Sequence, residues 1–483
     1  MLERNMAVAQ ISILSEDEVE LVHNRTLAIL ESPGVKVDSE IALKLLSEGG
    51  AKVDSKSKRA SIPESLVKET VRRLPRQVRL CARNPKQDMV APKKGPPYMA
   101  TNGTAVYVTD LETEEKRTSM ARDLREFMVL SDAMEPLDYV WPIVTSQDSP
   151  EKARSLYDLD ICLSNTTKHV QGEAISGEEA RAQVELASAI AGGSDALAKR
   201  PIFSVIQCPI CPLEFEKGSI EATVEFARAG IPVVSMSMAL TGLTSPVTLA
   251  STIAIVNAEN LASFVISQLA KPGAPVIYSS ESTSPNMFTG EIHYGAVEEI
   301  ILAAASAQMA KSYGAMTMTG GFGAGLGGEV PGIFADPAEL VFTSMTNAVM
   351  TDFASGIGGL DQAKGASLEQ IVIDCDIWEQ VREVRREVKI DEEHFAIDLI
   401  QKVGPGGNFL HELHTARNLR KDLFMPPKEK AELFARYRLD KGRRDIVKEA
   451  KARVREVLAN HRPEPIGKDE RKKMDAVLAK HQR

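Results

Sequence analysis

Short β-rich runs alternate with longer helical patterns through the middle of this chain, and this alternation restricts the fold more than any other feature. It is typical of βαβ units and therefore of a parallel sheet in an α/β protein. We predict eight strands, near residues 98–109 (alternatively a hairpin), 139–144, 168–175, 201–207, 231–236, 274–279, 315–319 and 352–356. Eight strand–helix units over about 290 residues predict a (β/α)8 TIM barrel, with a doubly wound sheet as the alternative.

The two ends of the chain lack this alternation. Near the start, Ser15 precedes three carboxylates, which is the pattern of a helix N-cap and first turn. A proline- and glycine-rich passage at 92–97 then leads into the barrel. We therefore predict a mainly helical N-terminal extension at 1–95, a TIM barrel catalytic domain at 96–390 and a helical C-terminal appendage at 391–483.

Composition limits the partners and the location of the protein. The 43% hydrophobic and 26% charged residues are those of a soluble globular protein, and the net charge of −9 argues against nucleic acid. Without a secretory signal or a continuous apolar run of membrane-spanning length, we expect no membrane and a cytoplasmic location. Five cysteines in 483 residues fit a reduced compartment. The basic C-terminal part is either a solvated surface or a contact with a partner, and we expect a homo-oligomer.

A glycine-crowded segment, Thr319–Gly328, follows the seventh predicted strand. Within it, Gly323–Gly328 satisfies GxGxxG, but a dinucleotide site also needs a helix that opens at the third glycine. The following Glu329–Gly332 contains a proline and interrupts any helix. We therefore reject a dinucleotide site and assign this segment to the mouth of the barrel.

Two further patterns raise the question of a metal site. The pair Cys208 and Cys211 is spaced as CxxC, but no second Cys or His pair accompanies it at zinc-site spacing. We predict buried structural cysteines at the end of a strand. His411 and His414 stand three residues apart with no third ligand marked, so we favour a contact with substrate or a helix cap, and no metal site.

Aromatic residues are scarce, so those predicted at the carboxyl ends of strands stand out, because a TIM barrel places its active site there. These rings are Tyr98, Trp141, Tyr278 and Phe322. Such rings can surround a quaternary ammonium, although each one alone is more often part of a core. Nearby polar residues would stabilise or orient a cation, or instead hold a loop by hydrogen bonds. They are Gln171, Glu173, Gln207 and Glu281.

Several short segments occur in an order and spacing that one enzyme family shares. They are Leu240–Ala250, Ala258–Asn260, Lys271–Val276, Thr289–Glu291, Gly358–Leu360, Leu368–Asp374, and Gly404–Leu410 with His414–Thr415. Through them the chain resembles the trimethylamine methyltransferase (MttB-like) superfamily. The resemblance covers nearly the whole chain and is strongest from Pro209 to Thr415.

The resemblance implies a TIM barrel that transfers a methyl group from a methylated amine to the Co(I) of a corrinoid. The corrinoid would belong to a separate corrinoid-binding protein, so we expect none tightly bound to this chain. The founding branch of the family uses pyrrolysine near the glycine segment, where it forms an adduct with a tertiary amine. Here only standard residues occur, and no lysine lies between Ala315 and Phe334. The chain therefore resembles the non-pyrrolysine branch.

Without such an adduct, the chemistry points to a quaternary amine, because loss of its methyl group releases a neutral tertiary amine. Displacement by Co(I) then needs mainly positioning and desolvation, with no general acid or base. Glycine betaine is the first expected donor, and proline betaine and carnitine are others. Their carboxylate would need a hydrogen-bond donor such as Asn102, His411 or His414. The alternatives are another TIM-barrel enzyme, a lyase or hydrolase, or a non-catalytic betaine-binding protein.

Overall fold

The computed structural model describes residues 10–333, 337–385, 388–422 and 446–481, and its first part mixes helices with short strands. The elements are α1 (Glu16–Glu31), β1 (Val35–Val37), α2 (Glu40–Glu48), β2 (Lys52–Asp54), β3 (Arg59–Ser61), α3 (Glu64–Arg73), β4 (Val78–Leu80) and β5 (Met89–Ala91). Ser15 caps α1 as predicted: its hydroxyl accepts from the Glu18 amide, and its own amide donates to the Glu18 carboxylate at 2.8 Å.

The middle of the chain builds alternating strands and helices. They are β6 (Tyr98–Thr101), β7 (Tyr107–Thr109), β8 (Lys116–Thr118), α4 (Ala121–Ala133), β9 (Tyr139–Val140), α5 (Arg154–Asn165), β10 (His169–Gly172), α6 (Gly177–Ala191), α7 (Ser194–Lys199), β11 (Phe203–Gln207), β12 (Glu214–Phe215), α8 (Lys217–Ala229), β13 (Val233–Ser237), α9 (Leu249–Ala270), β14 (Val276–Ser280), α10 (Val297–Ser312), β15 (Met316–Gly321), α11 (Pro337–Met345), β16 (Phe353–Ile357), β17 (Gly359–Leu360), β18 (Gly365–Ala366) and α12 (Leu368–Val381).

Eight of these strands close into a barrel in the order β6, β9, β10, β11, β13, β14, β15, β16. Neighbouring strands are parallel, and β16 pairs with β6 to complete the ring. Each barrel strand falls within or beside one of the eight predicted runs, so the predicted (β/α)8 TIM barrel is confirmed. Two register shifts accompany the closure, on either side of β16.

The interior of the barrel is filled from its amino end. The hairpin β4–β5 contributes Val78, Leu80 and Met89 to the same buried cluster as Met318 and Phe353 of the barrel strands. The N-terminal extension therefore supplies a plug at this end, and a cavity opens toward the carboxyl ends of the strands. Small sheets flank the barrel, with β1 joining β12 and β7 joining β18.

The C-terminal part is helical, as predicted. Its helices are α13 (Glu392–Phe395), α14 (Ile397–Val403), α15 (Leu413–Asp422), α16 (Ile446–Asn460) and α17 (Lys468–Lys480). The last two pack back on the barrel helices: Arg453 pairs with Asp376 of α12 at 2.9 Å, and Arg471 pairs with Asp160 of α5 at 2.7 Å. Pro426 and Pro427, where we expect a break in this helical part, lie outside the described residues.

Helix α9 is long and apolar enough to cross a membrane by length and composition alone. However, 78% of the most apolar 18-residue stretch of this helix is buried inside the protein. One of its buried polar groups, Asn257, donates to Thr26 of α1 at 2.9 Å and to the Tyr313 hydroxyl at 2.8 Å. The apolar surface of α9 is therefore used to pack the N-terminal extension against the barrel.

Candidate active site

A cavity of about 350 Å³ opens at the carboxyl end of the barrel, which is the end where enzymes of this fold place their chemistry. Every barrel strand contributes a lining residue, and seven of the eight do so at the last position of the strand or just beyond it, while Ser355 lies within β16. In strand order they are Asn102, Trp141, Glu173, Gln207, Met238, Glu281, Gly321 and Ser355. A closed ring of parallel strands thus brings together residues that are up to 253 positions apart in the chain, from Asn102 to Ser355. The volume suits a small organic molecule.

Trp141 supplies the aromatic wall of the cavity. Its backbone is fixed by Thr101 at the end of β6, whose hydroxyl accepts from the Trp141 amide at 2.8 Å and donates to its carbonyl at 2.7 Å. The ring lies against Gly103, where an added Cβ would come within 2.3 Å of the indole. Glycine is therefore required at 103 for the ring to occupy this position.

Three glutamates in the lining have pKa values well above the usual carboxyl range. Burial raises the pKa of Glu173 to about 7 and that of Glu299 to about 7. Burial, with the nearby Glu299 adding to it, raises the pKa of Glu281 to about 8. A cation in the cavity would favour the ionised form of all three groups, because an opposite charge opposes the effect of desolvation.

Gln207 is held in place by its own hydrogen bonds. Its carbonyl oxygen accepts from the Ser219 hydroxyl at 2.6 Å, and its amide nitrogen donates to the Ala174 carbonyl at 3.3 Å. Because both the oxygen and the nitrogen of its amide are hydrogen-bonded, the Gln207 side chain is held in one position in the cavity wall. It also ties the loop after β10 to helix α8, which carries Ser219.

The two cysteines of the CxxC pair differ in their surroundings. Cys211 is half-buried, where burial was predicted, and it lies 3.0 Å from a carboxylate oxygen of Glu259. The prediction that Cys208 is buried is wrong, since it is exposed and lines the cavity. Strand β11 ends at the preceding residue, so the side chain emerges at the mouth. Surrounding protein together with Glu173 and Glu281 raises the pKa of Cys208 to about 12, so it is no ready nucleophile.

The glycine segment forms the wall between β15 and β16. An added Cβ at Gly321 or Gly323 would meet a carbonyl oxygen of the β16 backbone at 3.0 Å, and one at Gly325 would overlap the side chain of Gln370. Residues 322–333 contain no helix, in agreement with the rejection of a dinucleotide site. The glycines therefore permit close backbone packing beside the cavity.

Four predicted site residues do not line the cavity. Tyr98 opens β6 instead of ending a strand, and it stacks on Phe353 with ring centroids 5.6 Å apart. Tyr278 is buried outside the barrel, where its hydroxyl donates to Asn257 at 3.2 Å. Phe322 packs on Trp378 of α12 with centroids 5.4 Å apart, and Gln171 lies deeper, 3.6 Å from the Met318 sulfur. The four predicted rings therefore do not meet, and Trp141 alone among them reaches the cavity.

The two predicted histidines also lie elsewhere. His411 precedes α15 and His414 belongs to it, and both side chains are exposed. Neither is among the residues that line the cavity. Of the three donors predicted for a substrate carboxylate, His411 and His414 therefore lie away from the cavity and Asn102 lines it.

Tyr294 and Glu299 are among the cavity-lining residues that the sequence reasoning missed. Both follow β14, one in the long loop and the other in the first turn of α10. An acidic residue in a first helical turn ordinarily interacts with the helix dipole, so the pattern gave no reason to single out Glu299. The Glu299 carboxylate also accepts from the Gly295 amide at 2.5 Å, which fixes the loop.

Comparison with known proteins gives a consistent result. A family model described as trimethylamine methyltransferase (MTTB) matches residues 2–483. The chain is 31% identical over 456 residues to a trimethylamine methyltransferase MttB of Desulfitobacterium hafniense, covering 94% of this chain and 90% of that protein. It is 31% identical to MttB of Methanosarcina barkeri over 98% of this chain and 95% of that protein.

Two other matches differ in kind. A protein named glycine betaine methyltransferase, from Desulfitobacterium hafniense, is 29% identical to this chain over 476 residues. The match covers 97% of this chain and 96% of that protein. The crystal structure of the Methanosarcina barkeri monomethylamine methyltransferase MtmB superposes with a TM-score of 0.50 at 11% identity, covering 93% of this chain and 96% of that one. At that identity the structural match supports the fold alone.

Proposed function

The chain belongs to the trimethylamine methyltransferase (MTTB) family and is a corrinoid-dependent methyltransferase, and we propose that its methyl donor is a quaternary amine. The observation that carries this proposal is the cavity itself, which is lined by the indole of Trp141 together with the carboxyl groups of Glu173, Glu281 and Glu299. Aromatic faces and carboxylates both attract a permanent cation. The relative named glycine betaine methyltransferase supports the same class, with glycine betaine, proline betaine or carnitine as members to be tested.

The reaction then needs no proton transfer. The bond between nitrogen and one methyl carbon breaks, its electron pair stays on nitrogen, and a neutral tertiary amine leaves. The methyl carbon bonds to Co(I) of the corrinoid, which supplies the electron pair and becomes methyl-Co(III). The residues of this chain bind the cation, exclude water and aim one methyl group outward. No residue of the cavity is required to act as a nucleophile, which agrees with the raised pKa of Cys208.

We propose that the corrinoid acceptor belongs to a separate protein that docks over the mouth of the cavity. A corrin macrocycle is larger than a space of about 350 Å³, so the acceptor must approach from outside. Large apolar side chains are exposed in the loops that follow the strands and would be buried by such a partner. They are Ile175, Ile210, Leu243, Val247, Met287 and Phe288. A cytoplasmic location and a homo-oligomeric state remain part of this proposal.

Phe288→Asp is expected to slow methyl transfer to the corrinoid protein by about tenfold, because the fully exposed ring would be a central contact of that interface. The rate with free cob(I)alamin should not change, since Phe288 does not line the cavity. Leu21→Asp on α1 is the matched control, being half-exposed on the outer layer. Equal slowing with both acceptors would argue against a docking role.

Affinity for a quaternary amine is expected to rise between about pH 6 and pH 9 and then to level off. The pKa values of Glu173 and Glu299 are about 7 and that of Glu281 is about 8, so at low pH these groups hold protons that a cation must displace. Binding near neutral pH should release protons. Calorimetry in buffers of different ionisation enthalpy measures this release, and proton uptake would contradict the assignment.

The function itself is tested with the purified chain, its corrinoid protein and Co(I), in the presence of individual quaternary amines. Formation of methyl-Co(III), followed by absorbance, with at least one of them is the expected result. Methylation with trimethylamine alone would contradict the quaternary class. Binding without methylation would indicate a non-catalytic betaine-binding protein, and neither binding nor methylation would favour a lyase or hydrolase.

A further inference from the structure

The charges that face the cavity have one sign. The acidic side chains in its lining are Glu173, Glu216, Glu281 and Glu299, which come from four separate segments of the chain. Within the described ranges, the lining contains no lysine, arginine or histidine. A ligand that fills this space therefore meets countercharges for a positive group and none for a negative group.

Three polar atoms of the lining are buried and have no hydrogen-bond partner among the described residues. They are Nδ2 of Asn102, Nε1 of Trp141 and Oε1 of Glu281. Asn102 is only 8% exposed, and buried polar groups in proteins are nearly always satisfied. The cavity thus offers two neutral donors and one carboxylate oxygen to a ligand.

A betaine would bring a carboxylate into this space together with its quaternary nitrogen. Buried carboxylates are normally held by charge-assisted donors, of which Arg is the most frequent. Here the two unpartnered donors that the carboxylate would meet are neutral, and it would stand near Glu281 and Glu299, whose own charges already oppose one another. Asn102 and Trp141 suit an uncharged oxygen better, because a hydroxyl oxygen accepts from neutral donors without needing a countercharge.

We infer that the methyl donor is a quaternary ammonium without a carboxylate, whose uncharged hydroxyl end is bound by Asn102 and Trp141 and whose cationic end faces Glu281. This inference rests on the proposed function and narrows its substrate, in place of the glycine betaine expected from the sequence. Choline and glycine betaine form a matched pair of probes, since they share the trimethylammonium group and differ in the hydroxymethyl or carboxylate at the other end. Size is nearly constant between them, and charge differs.

Calorimetric titration at about pH 9, where the cavity carboxyl groups are ionised, tests the inference. We expect choline to bind at least tenfold more tightly than glycine betaine. Glu281→Gln should weaken choline binding by more than tenfold and should bring the two ligands closer together in affinity. Glu178→Gln, which removes an exposed carboxylate from α6, is the control for net charge and should leave both affinities unchanged.

Glycine betaine binding as tightly as choline, or more tightly, would overturn the inference, and this comparison needs only the unmodified protein. A parallel assay with Co(I) corrinoid tests the substrate inference separately from the proposed function. Faster demethylation of glycine betaine than of choline would overturn the substrate inference while the proposed function stands. Selective choline binding with no methyl-Co(III) from either ligand would support the ligand preference argued for the cavity, and it would overturn both the proposed function and the role of this ligand as a methyl donor.

Discussion

Trp141→Ala is expected to lower kcat/KM for the quaternary amine by about 100-fold. A desolvated cation–aromatic contact contributes about 2 kcal/mol or more, and the truncation also admits water beside the methyl groups. Trp141 is the aromatic wall fixed by Thr101 and Gly103, so neither a neighbouring ring nor a shift of the backbone replaces it easily. Steady-state kinetics with the corrinoid protein measure the loss, and thermal unfolding shows whether the fold is intact.

Two further variants separate the ring from the bulk of the side chain. Trp141→Phe keeps an aromatic face and should lose only about tenfold. Gly103→Ala leaves Trp141 unchanged in sequence but occupies the space of its ring, and should weaken binding as well. Gly172→Ala is its control, because an added Cβ there meets nothing closer than 3.9 Å. Wild-type values of KM and kcat in the Trp141→Ala enzyme would show that the indole does not contact the substrate.

Fluorescence gives an independent measure of the same contact. The chain has two tryptophans, and the other one, Trp378 of α12, is buried against Phe322. A ligand-dependent change in emission should therefore belong to Trp141 and should disappear in Trp141→Phe. Persistence of that change in Trp141→Phe would place the responding tryptophan on α12.

The barrel was predictable because its signal is local and repeated. Each parallel strand is a short run of apolar and β-branched residues, and each is separated from the next by a helical pattern long enough for a right-handed crossover. Strands such as Phe203–Gln207 and Val276–Ser280 are buried at every position, so they read as continuous runs. The plug formed by β4 and β5 carries no comparable signal, since three-residue strands are defined by what they pack against.

The direction of side chains at strand ends was the weaker part of the prediction. Tyr278 and Glu281 are three residues apart, so the alternation of a strand sends them to opposite sides, one toward α9 and the other into the cavity. Gln171 and Glu173 are two apart and share the inner side, with Gln171 one layer deeper. Applying this alternation from a strand whose inner face is known would have separated these residues correctly.

Residue types alone also did not predict which charged side chains line the cavity. The sequence predicts Asn102, His411 and His414 as donors for a substrate carboxylate, the two histidines from the C-terminal appendage. Folding places His411 and His414 at an exposed helix and brings Glu299 in from α10. These arrangements depend on how loops of different length cross the mouth of the barrel, which no local pattern encodes.

The glycine segment keeps its position through one carboxylate on α12. Asp374 is fully buried, and its two oxygens accept from the Ala324 amide at 2.9 Å, the Gly358 amide at 2.8 Å and the Gln370 side chain at 2.8 Å. Gln370 in turn accepts from the Gly332 amide at 2.8 Å. A segment rich in glycine has little side-chain packing of its own, so these hydrogen bonds fix the wall that it forms.

Asp374→Asn is expected to lower the free energy of unfolding by about 2–3 kcal/mol, because an amide offers one acceptor oxygen and must turn its own donors toward a buried donor. Asp374→Ala should lower it by about 3–5 kcal/mol, since three donors then lose their partner. Chemical denaturation measures both, with Asp195→Asn on the exposed start of α7 as a control expected to change stability by less than about 0.5 kcal/mol. At temperatures where the Asp374→Asn enzyme stays folded, its KM should also be raised, because Gly321 and Leu326 of the glycine segment line the cavity.

Unchanged stability in Asp374→Ala would mean that the glycine segment is held by its backbone packing alone.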